Sequence, residues 1–528
     1  MDCDGSHAVL ASAEEAGPRH SFRNVSESAV DADALPAHSR AFVLLLGATL
    51  LVSGCATKPQ PTMAEIHQQS GTLTNIALTN AWRAGGAPGL TIDNWLATFR
   101  DAQLDALVAE ALTNNLDLRV TASRVAQAAQ YVEMAKAALR PAVNLLGTGG
   151  LNMGGGDVSS ALQGASLGAS WEPDLWARMR YGRNAAQAAH ASTLADFEYS
   201  RQSLAATVAK GWFTASETWL QREISDGMIQ AAQQLVTLAE KRGQVGAGTQ
   251  YEVALARANL ASVQDAAKQI RLAHDQSLRG LEVLLGRYPA AELEARHALV
   301  SLPGPVPTGL PLQMLERRPD MVAAERRVAA AFNRVGEAKA ARLPRLILSA
   351  NVAVIDSAIL QLKDDFENPT GGVGGRLIAP IYQGGALQTQ VRIRTLEQEE
   401  AVAEYASMAL RALSDVENNL AASQNLVERE PFLEQALIES QRALELAQTS
   451  YRVGQSDLRA VQQQLLDVYA ARLALLRVRS EQLAQRVNLH LALGGNFESP
   501  IALPPAESAF QGARGSRLAA TGADTIHP

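Results

Sequence analysis

Two rhythms alternate along the chain. Val120, Val125, Ala128 and Val132 recur at the spacing of one helix face and predict a helix from Leu104 to Leu139. A matching pattern predicts another over about Arg318 to Arg342. Pro141 and Pro344 then break the helical run, and the period changes to two. In "PRLILSANVAVID", Leu346, Leu348, Ala350, Val352 and Val354 share one face, against Arg345, Ser349 and Asn351 on the other. "SLGASWE" alternates likewise, so strands are expected over about Val143–Asn152, Ala165–Glu172, Leu346–Ile355 and Val373–Tyr382. "NMGGGDVSSALQG" and "DSAILQLKDDFENPTGG" read as loops. After each pair of strands the helical rhythm returns over roughly 184–242, 249–285, 386–450 and 457–492. Gly246, Gly248 and Gly454 mark the turns inside these helical pairs, where glycine can cap a helix with φ > 0. Pro431 predicts a kink or break in the third long helix.

The pattern occurs twice. A shift of 203 positions pairs Asp117 with Asp320, Arg124 with Arg327, Val132 with Val335 and Pro141 with Pro344. A shift of 208 pairs Gly246 with Gly454, Val253 with Val461, and Leu285-Gly286 with Leu493-Gly494. The chain is therefore a tandem duplication, with repeats at 101–290 and 300–497. "Arg-Arg-Pro-Asp" at 317–320 opens a helix in the second copy, with proline in the first turn.

Composition narrows the function. The formal net charge is −7 with no basic cluster, which argues against nucleic acid as a partner. The nine histidines show no paired spacing, and no zinc site is expected. The only cysteines are Cys3 and Cys55, so no disulfide framework is expected. There is no G-x-G-x-x-G, no G-x-x-x-x-G-K-[ST] and no H-E-x-x-H, so no enzyme class is indicated.

The N-terminal region reads as processing signal. Ala41 to Val52 is apolar, too short to span a bilayer but right for a signal peptide, and Arg40 precedes it. Leu51-Val52-Ser53-Gly54-Cys55 ends it as a lipoprotein processing site would, with Cys55 carrying N-acyl and S-diacylglycerol chains. The competing reading of Cys55 is a small buried hydrophobe. Residues 1–39 fit a mis-called translation start, 40–54 a signal peptide, 55–100 a lipid-anchored segment, and 498–528 a disordered tail. Ala56 after the cysteine fits sorting to the outer membrane.

Four strands cannot make a closed sheet, and lipid tolerates no open sheet edge. Two or three chains would close one, and long helices poor in aromatics suit the wall of a hollow tube. The expected object is an oligomeric tube, part β in a membrane and part helical beyond it.

"DLW-x-R" (Asp174 to Arg178), "RRPD", "PIYQGG" (Pro380 to Gly385), "LALGG" (Leu491 to Gly495) and the lipid signal resemble the TolC-like outer-membrane factors, and more closely NodT-type efflux lipoproteins. The likeness runs from about Trp82 to Phe497. It departs from the commoner pattern at Pro173 and Ala177, where the family tends to leucine and glycine. The resemblance implies a mainly α fold with a β-barrel part. Three chains would contribute four strands each to a twelve-stranded outer-membrane barrel continuous with a periplasmic helical barrel. It implies a homotrimer, a periplasmic adaptor, a proton-driven inner-membrane pump, no cofactor and no catalysis. The function implied is a passive duct for drugs or other small molecules. A type I protein-secretion duct and a lipid-anchored coiled-coil scaffold are the alternatives.

By the same resemblance, Gly246, Thr249, Glu252, Val253, Gly454, Asp457 and Val461 would lie at the periplasmic tip where the adaptor docks. Glu252, Asp457, Gln463 and Asp467 are the candidate gate residues, although Ala460 and Gln463 stand where the family often has carboxylates. Trp171 and Trp176 would sit at a membrane interface or pack at the junction of barrel and tunnel. Since a barrel would itself hold the membrane, the lipid would serve targeting or assembly. Cys55→Ser behind a cleavable non-lipoprotein signal is expected to leave some working trimers, and their complete loss would contradict this.

Overall fold

The computed structural model describes residues 57–69, 81–87, 89–91, 93–149, 151–154, 157–160, 163–356 and 369–497. The signal region, Cys55 and the 498–528 tail lie outside the described residues. Helix α1 (Met63–Gln69) and a 3-10 turn (Trp95–Phe99) precede α2 (Ala102–Asn114) and α3 (Leu116–Ala137). Strands β1 (Ala142–Thr148), β2 (Leu151–Gly154), β3 (Asp157–Ser160) and β4 (Gln163–Trp171) follow, then α4 (Arg178–Gln244) and α5 (Gln250–Leu284). The second half runs α6 (Pro311–Arg317), α7 (Pro319–Ala340), β5 (Arg345–Asp356), β6 (Thr370–Ile378), α8 (Ala386–Arg452) and α9 (Leu458–Ala492).

The duplication is visible in the element lengths. Helices α3 and α7 have 22 residues each, α4 and α8 have 67, and α5 and α9 have 35. At 1.5 Å per residue the 67-residue helices are about 100 Å long. The shorter helices meet end to end. Asn115 caps α3 by accepting from Leu118 N at 2.9 Å, and its Nδ2 donates to the Leu284 carbonyl at the end of α5, 3.0 Å away. In the second half Arg318 takes the same place, donating Nη1 to the Ala492 carbonyl at the end of α9, at 3.2 Å. Its guanidinium also pairs with Asp320 at 2.8 Å and with Asp415 of α8 at 3.7 Å. The helix ends would otherwise bury unpaired carbonyls, and a cation at a C-terminus is favoured by the dipole. Pro319 does open α7 in its first turn, but Arg318 beside it also joins two helices.

Three expectations change. The helix expected over Leu104 to Leu139 is two helices, because Asn115 is extended (ψ 126) and caps α3. Pro431 does not break α8, which runs unbroken from Ala386 to Arg452. Helix α9 braces both sides of the proline. Arg479 bonds Glu430 and Glu434, and Gln482 donates to the Leu426 carbonyl at 3.2 Å and to Glu430 at 2.9 Å. The repeat-related pair Arg271–Asp226, at 2.8 Å, braces α4 against α5.

The third change concerns the strands. A four-stranded antiparallel sheet has the order β1-β4-β5-β6, leaving β1 and β6 as edges, and β2-β3 form a separate ladder. The first expected strand is divided into β1 and β2, and part of the expected glycine-rich loop is β3, paired from Leu151↔Ser160 to Gly154↔Asp157. Each strand of this ladder is only four residues long, so β3 shows no period in the sequence. Strand β6 starts at Thr370 and stops at Ile378, before Pro380, which has no N–H for a ladder. The register aligns Val143, Ala169, Ala350 and Val373 across the sheet, and Leu145, Leu167 and Val352 beside them. One face is therefore apolar, and its valines and leucines are exposed.

The junction between sheet and helices is built by "EPDLWARMR". Asp174 accepts from Met179 N and Arg180 N at 3.0 and 2.9 Å, opening α4. Ala177 there has φ 61, a left-handed conformation that glycine adopts freely and alanine adopts at a cost of about 1–2 kcal/mol. Both tryptophans make the junction contacts expected of one of their two readings. Trp171 closes the apolar face and donates to the Leu139 carbonyl at 3.0 Å, and Trp176 donates to the Pro344 carbonyl at 2.5 Å.

The main core lies midway along the helices, where Trp212, Phe213, Leu281, Val487 and Phe497 pack with Trp95 and Phe99. Buried Asp101 anchors it by capping α2, accepting from the Trp212 indole at 3.1 Å and pairing with Arg296 at 2.9 Å. The N-terminal segment crosses the second repeat as a strap. Arg83 N and Ala84 N donate to Glu417, Asp93 pairs with Arg317, and Asn496 N donates to Asp93 at 3.1 Å. Further up, Thr57 to Gln60 line a groove with Asn184, Ala188 and Asn333, near the sheet end of α4.

The end-to-end joints set a stability difference. Arg318→Met takes a buried guanidinium from half-buried Asp320 and from the Ala492 carbonyl, charged hydrogen bonds worth about 1.5–3 kcal/mol each, whereas Asn115→Ala removes neutral hydrogen bonds worth about 1 kcal/mol each. Thermal unfolding of the purified protein in detergent should rank them in that order, and equal effects would contradict it.

Candidate functional site

The end of the molecule far from the sheet is made by two turns, Val245–Thr249 and Val453–Asp457. Each closes the preceding helix in the same way. Gly246 (φ 73) donates to the Gly243 carbonyl at 3.3 Å while Ala247 N reaches the Arg242 carbonyl at 2.9 Å. Gly454 (φ 78) and Gln455 repeat this with Tyr451 and Ser450, at 3.1 and 2.8 Å. These are left-handed glycine caps, in which carbonyls orphaned at the helix end are satisfied.

The following helices begin with matched caps of unequal strength. Thr249 and Glu252 form a reciprocal capping box, with Glu252 N to Thr249 Oγ1 at 3.2 Å and Thr249 N to Glu252 Oε2 at 2.9 Å. Asp457, the repeat partner of Thr249, accepts from Ala460 N at 3.0 Å, and Ala460 in the place of Glu252 leaves no box. Val253 and Val461 point inward and pack in one cluster with Tyr451, Leu458 and Leu465. The structure thus brings the tip residues of both repeats side by side.

Of the candidate gate residues, Gln463 and Asp467 meet, while Glu252 and Asp457 are held in helix caps. The Glu252 carboxylate is engaged in its capping box and Asp457 in its cap. Gln463 donates to Asp467 at 2.9 Å. Asp467 lies ten residues beyond Asp457, about 15 Å further along the helix axis.

Sequence reasoning missed the residues that lock the two turns together. Arg242 of α4 donates to the Tyr451 carbonyl at 2.6 Å and its guanidinium lies 4.4 Å from the Tyr451 ring. Arg459 of α9 reciprocates over Tyr251 of α5, at 5.2 Å. Burial and the nearby Glu252 charge push the Tyr451 phenol above its ordinary range, with Arg242 pulling the other way. The signal was available, as an arginine or tyrosine within a few residues of each turn glycine. Among the described residues no group of histidine, cysteine, aspartate and glutamate could hold a metal ion, and no helix is long and apolar enough to cross a membrane.

A half-apolar antiparallel sheet joined to helices about 100 Å long, ending in paired capped turns, defines the TolC-like channel fold. Residues 107–287 and 310–495 match the outer membrane efflux protein family, and the chain belongs to it. It is similar to the pyoverdine export outer membrane protein OpmQ of Pseudomonas aeruginosa, 32% identical over 480 residues that cover 86% of this chain and 97% of OpmQ. The cation efflux system protein CusC of Escherichia coli is 28% identical over 465 residues, covering 85% of this chain and 97% of CusC. The solved structure of VceC, an outer membrane protein of Vibrio cholerae, superposes with a TM-score of 0.69 at 25% identity, covering 78% of this chain and 100% of VceC. The chain is an outer-membrane efflux channel that extends into the periplasm.

The caps can be weighed separately. Thr249→Ala and Asp457→Ala are each expected to lose about 1 kcal/mol of helix-start stability, and Asp457→Asn little, because asparagine caps as well as aspartate. Hydrogen exchange at the amides of 250–253 and 458–461 should quicken in the alanine variants only. Equal exchange in Asp457→Ala and Asp457→Asn would contradict this.

Proposed function

We propose that three copies form one passive duct for small molecules, with a twelve-stranded barrel in the outer membrane continuing into a periplasmic helical tunnel. The observation that carries this is the sheet. One face is apolar and exposed, and both edge strands present unpaired backbone groups that lipid cannot satisfy. Closing the sheet with two further copies removes every edge. In this reading the chain performs no chemistry and has no cofactor. A proton-driven inner-membrane pump supplies energy and cargo, and a periplasmic adaptor docks at the tip formed by Gly246, Thr249, Glu252, Val253, Gly454, Asp457 and Val461. Glu252, Asp457, Gln463 and Asp467 belong to the gate at that end. Rings of carboxylates at the levels of Asp457 and Asp467 would favour cations.

Cys55 carries the lipid in this reading. Its support is positional: Thr57, two residues on, lies beside Asn184 near the sheet end of α4, where a membrane leaflet would be within reach of an acyl chain. Export of pyoverdine or of cations, as the names of OpmQ and CusC describe for those proteins, falls within the same class of cargo.

A strain lacking this chain should become more sensitive to part of a drug, dye and metal-ion panel, and plasmid-borne protein should restore tolerance. The restored protein should run on gels as a heat-modifiable trimer from the outer-membrane fraction. Loss of a secreted protein with unchanged panel tolerance would favour protein export instead, and a protein that never leaves the monomer position would contradict the duct.

A further inference from the structure

The sheet's second face differs from the apolar one in charge as well as polarity. Register places Ser170, Ser349 and Gly374 in one row of this face, and Gly168, Asn351 and Gly372 in the next. Two arginines complete it at the helical end. Arg345 is the first residue of β5, opposite Ile378, and Arg376 lies opposite Ile347. Being diagonal neighbours on one face, their Cα atoms are about 7–8 Å apart.

Resting on the trimeric-duct reading above, we propose that Arg345 and Arg376 of three copies form a cationic collar at the periplasmic end of the barrel lumen. The collar would bind multiply charged anionic solutes, those bearing phosphate or carboxylate groups, in passage. Once the apolar face meets lipid, this face must line the lumen, because successive side chains of a strand point to opposite sides. Both arginines are exposed and neither has an ion pair among the described residues. The carboxylates that share a cavity with Arg345 are engaged elsewhere. Glu172 and Asp174 line a cavity of about 210 Å³ with Arg345, but Glu172 holds Arg178 at 2.9 Å and Asp174 holds Arg180 at 3.1 Å. The wall above the collar is low. Gly372 and Gly374 carry no side chain, and only the Asn351 Oδ1 and the Ser349 Oγ come within 3.6 Å of where a Cβ would stand. A solute reaching the guanidinium groups therefore passes hydroxyls, amides and bare backbone, with Leu146 and Ile347 among the larger apolar side chains on the same face. Rings of arginine select anions in pores, and guanidinium matches phosphate and carboxylate through paired hydrogen bonds. Such a collar would complement the carboxylates at the tip, some 100 Å away by the length of α4.

The test is current block in planar bilayers holding the purified full-length trimer. Tripolyphosphate added on the barrel side should block the wild-type current, with a half-blocking concentration raised about tenfold or more in Arg345→Gln/Arg376→Gln, as expected for removal of a charged ring. Arg345→Lys/Arg376→Lys should retain most of the block. Heat-modifiability gels confirm that each variant assembles. Equal block of wild type and the glutamine variant, or no block of the wild type, would overturn the collar while the current steps themselves uphold the duct. Assembled trimers that give no current steps in any variant would overturn the duct reading and the collar with it.

Discussion

Helix ends are the expensive places in this architecture. Each leaves four backbone groups without an intrahelical partner, and long helices packed side by side offer little interior in which to hide them. The protein joins its shorter helices head to tail, so that the carbonyls ending α5 and α9 meet side chains at the starts of α3 and α7. Asn115 and Arg318 perform the same task with different chemistry. Asparagine makes a neutral bridge, while arginine brings a charge that must then be balanced by Asp320 and Asp415. Through these joints two helices of 22 and 35 residues run alongside one of 67, and each repeat gains a second column nearly as long as the first.

The opposite end of the molecule answers a different constraint. In the sheet the unsatisfied groups lie along strand edges, and no side chain can cover them in lipid. The residues follow from that. One face is mostly valine, leucine and alanine, the other carries serine, asparagine, glycine and two arginines with a few aliphatic residues, and Trp171 closes the apolar face where it meets the helices. The same boundary explains the local sequence "DLWAR". Aspartate opens α4, tryptophan binds the carbonyl of Pro344, and the residue at φ 61 occupies a position that would suit glycine.

Much of this was legible in the sequence because the cues were periodic or duplicated. Alternation marked β4 and β5, and the glycines at 246 and 454 marked the turns. What stayed hidden depended on partners distant in sequence. Pro431 looks like a helix breaker until Arg479 and Gln482 of another helix are seen to brace it. Arg317-Arg318-Pro319-Asp320 reads as a simple helix start, and the bond to Ala492 has no local signature. Strand β3 is only four residues long, Asp-Val-Ser-Ser, too short to show a period. At the tip, the caps on Thr249 and Asp457 could be read directly, whereas the crossed contacts of Arg242 with Tyr451 and Arg459 with Tyr251 needed the two repeats in register.

The strap across the second repeat has a topological meaning. Asp93 and Asn94 bond Asn496 in both directions, Asn496 N to the Asp93 carboxylate and Asn94 N to the Asn496 carbonyl. In polymer terms the chain from Asp93 to Asn496 is a closed loop, fastened by hydrogen bonds over a span of 403 residues. The entropic cost of fastening such a loop grows only with the logarithm of its length, so a long ring is little harder to close than a short one. A ring has no loose end from which to fray. Both repeats are thereby flanked on each side by structure, although a duplicated chain would ordinarily leave one end of each copy bare.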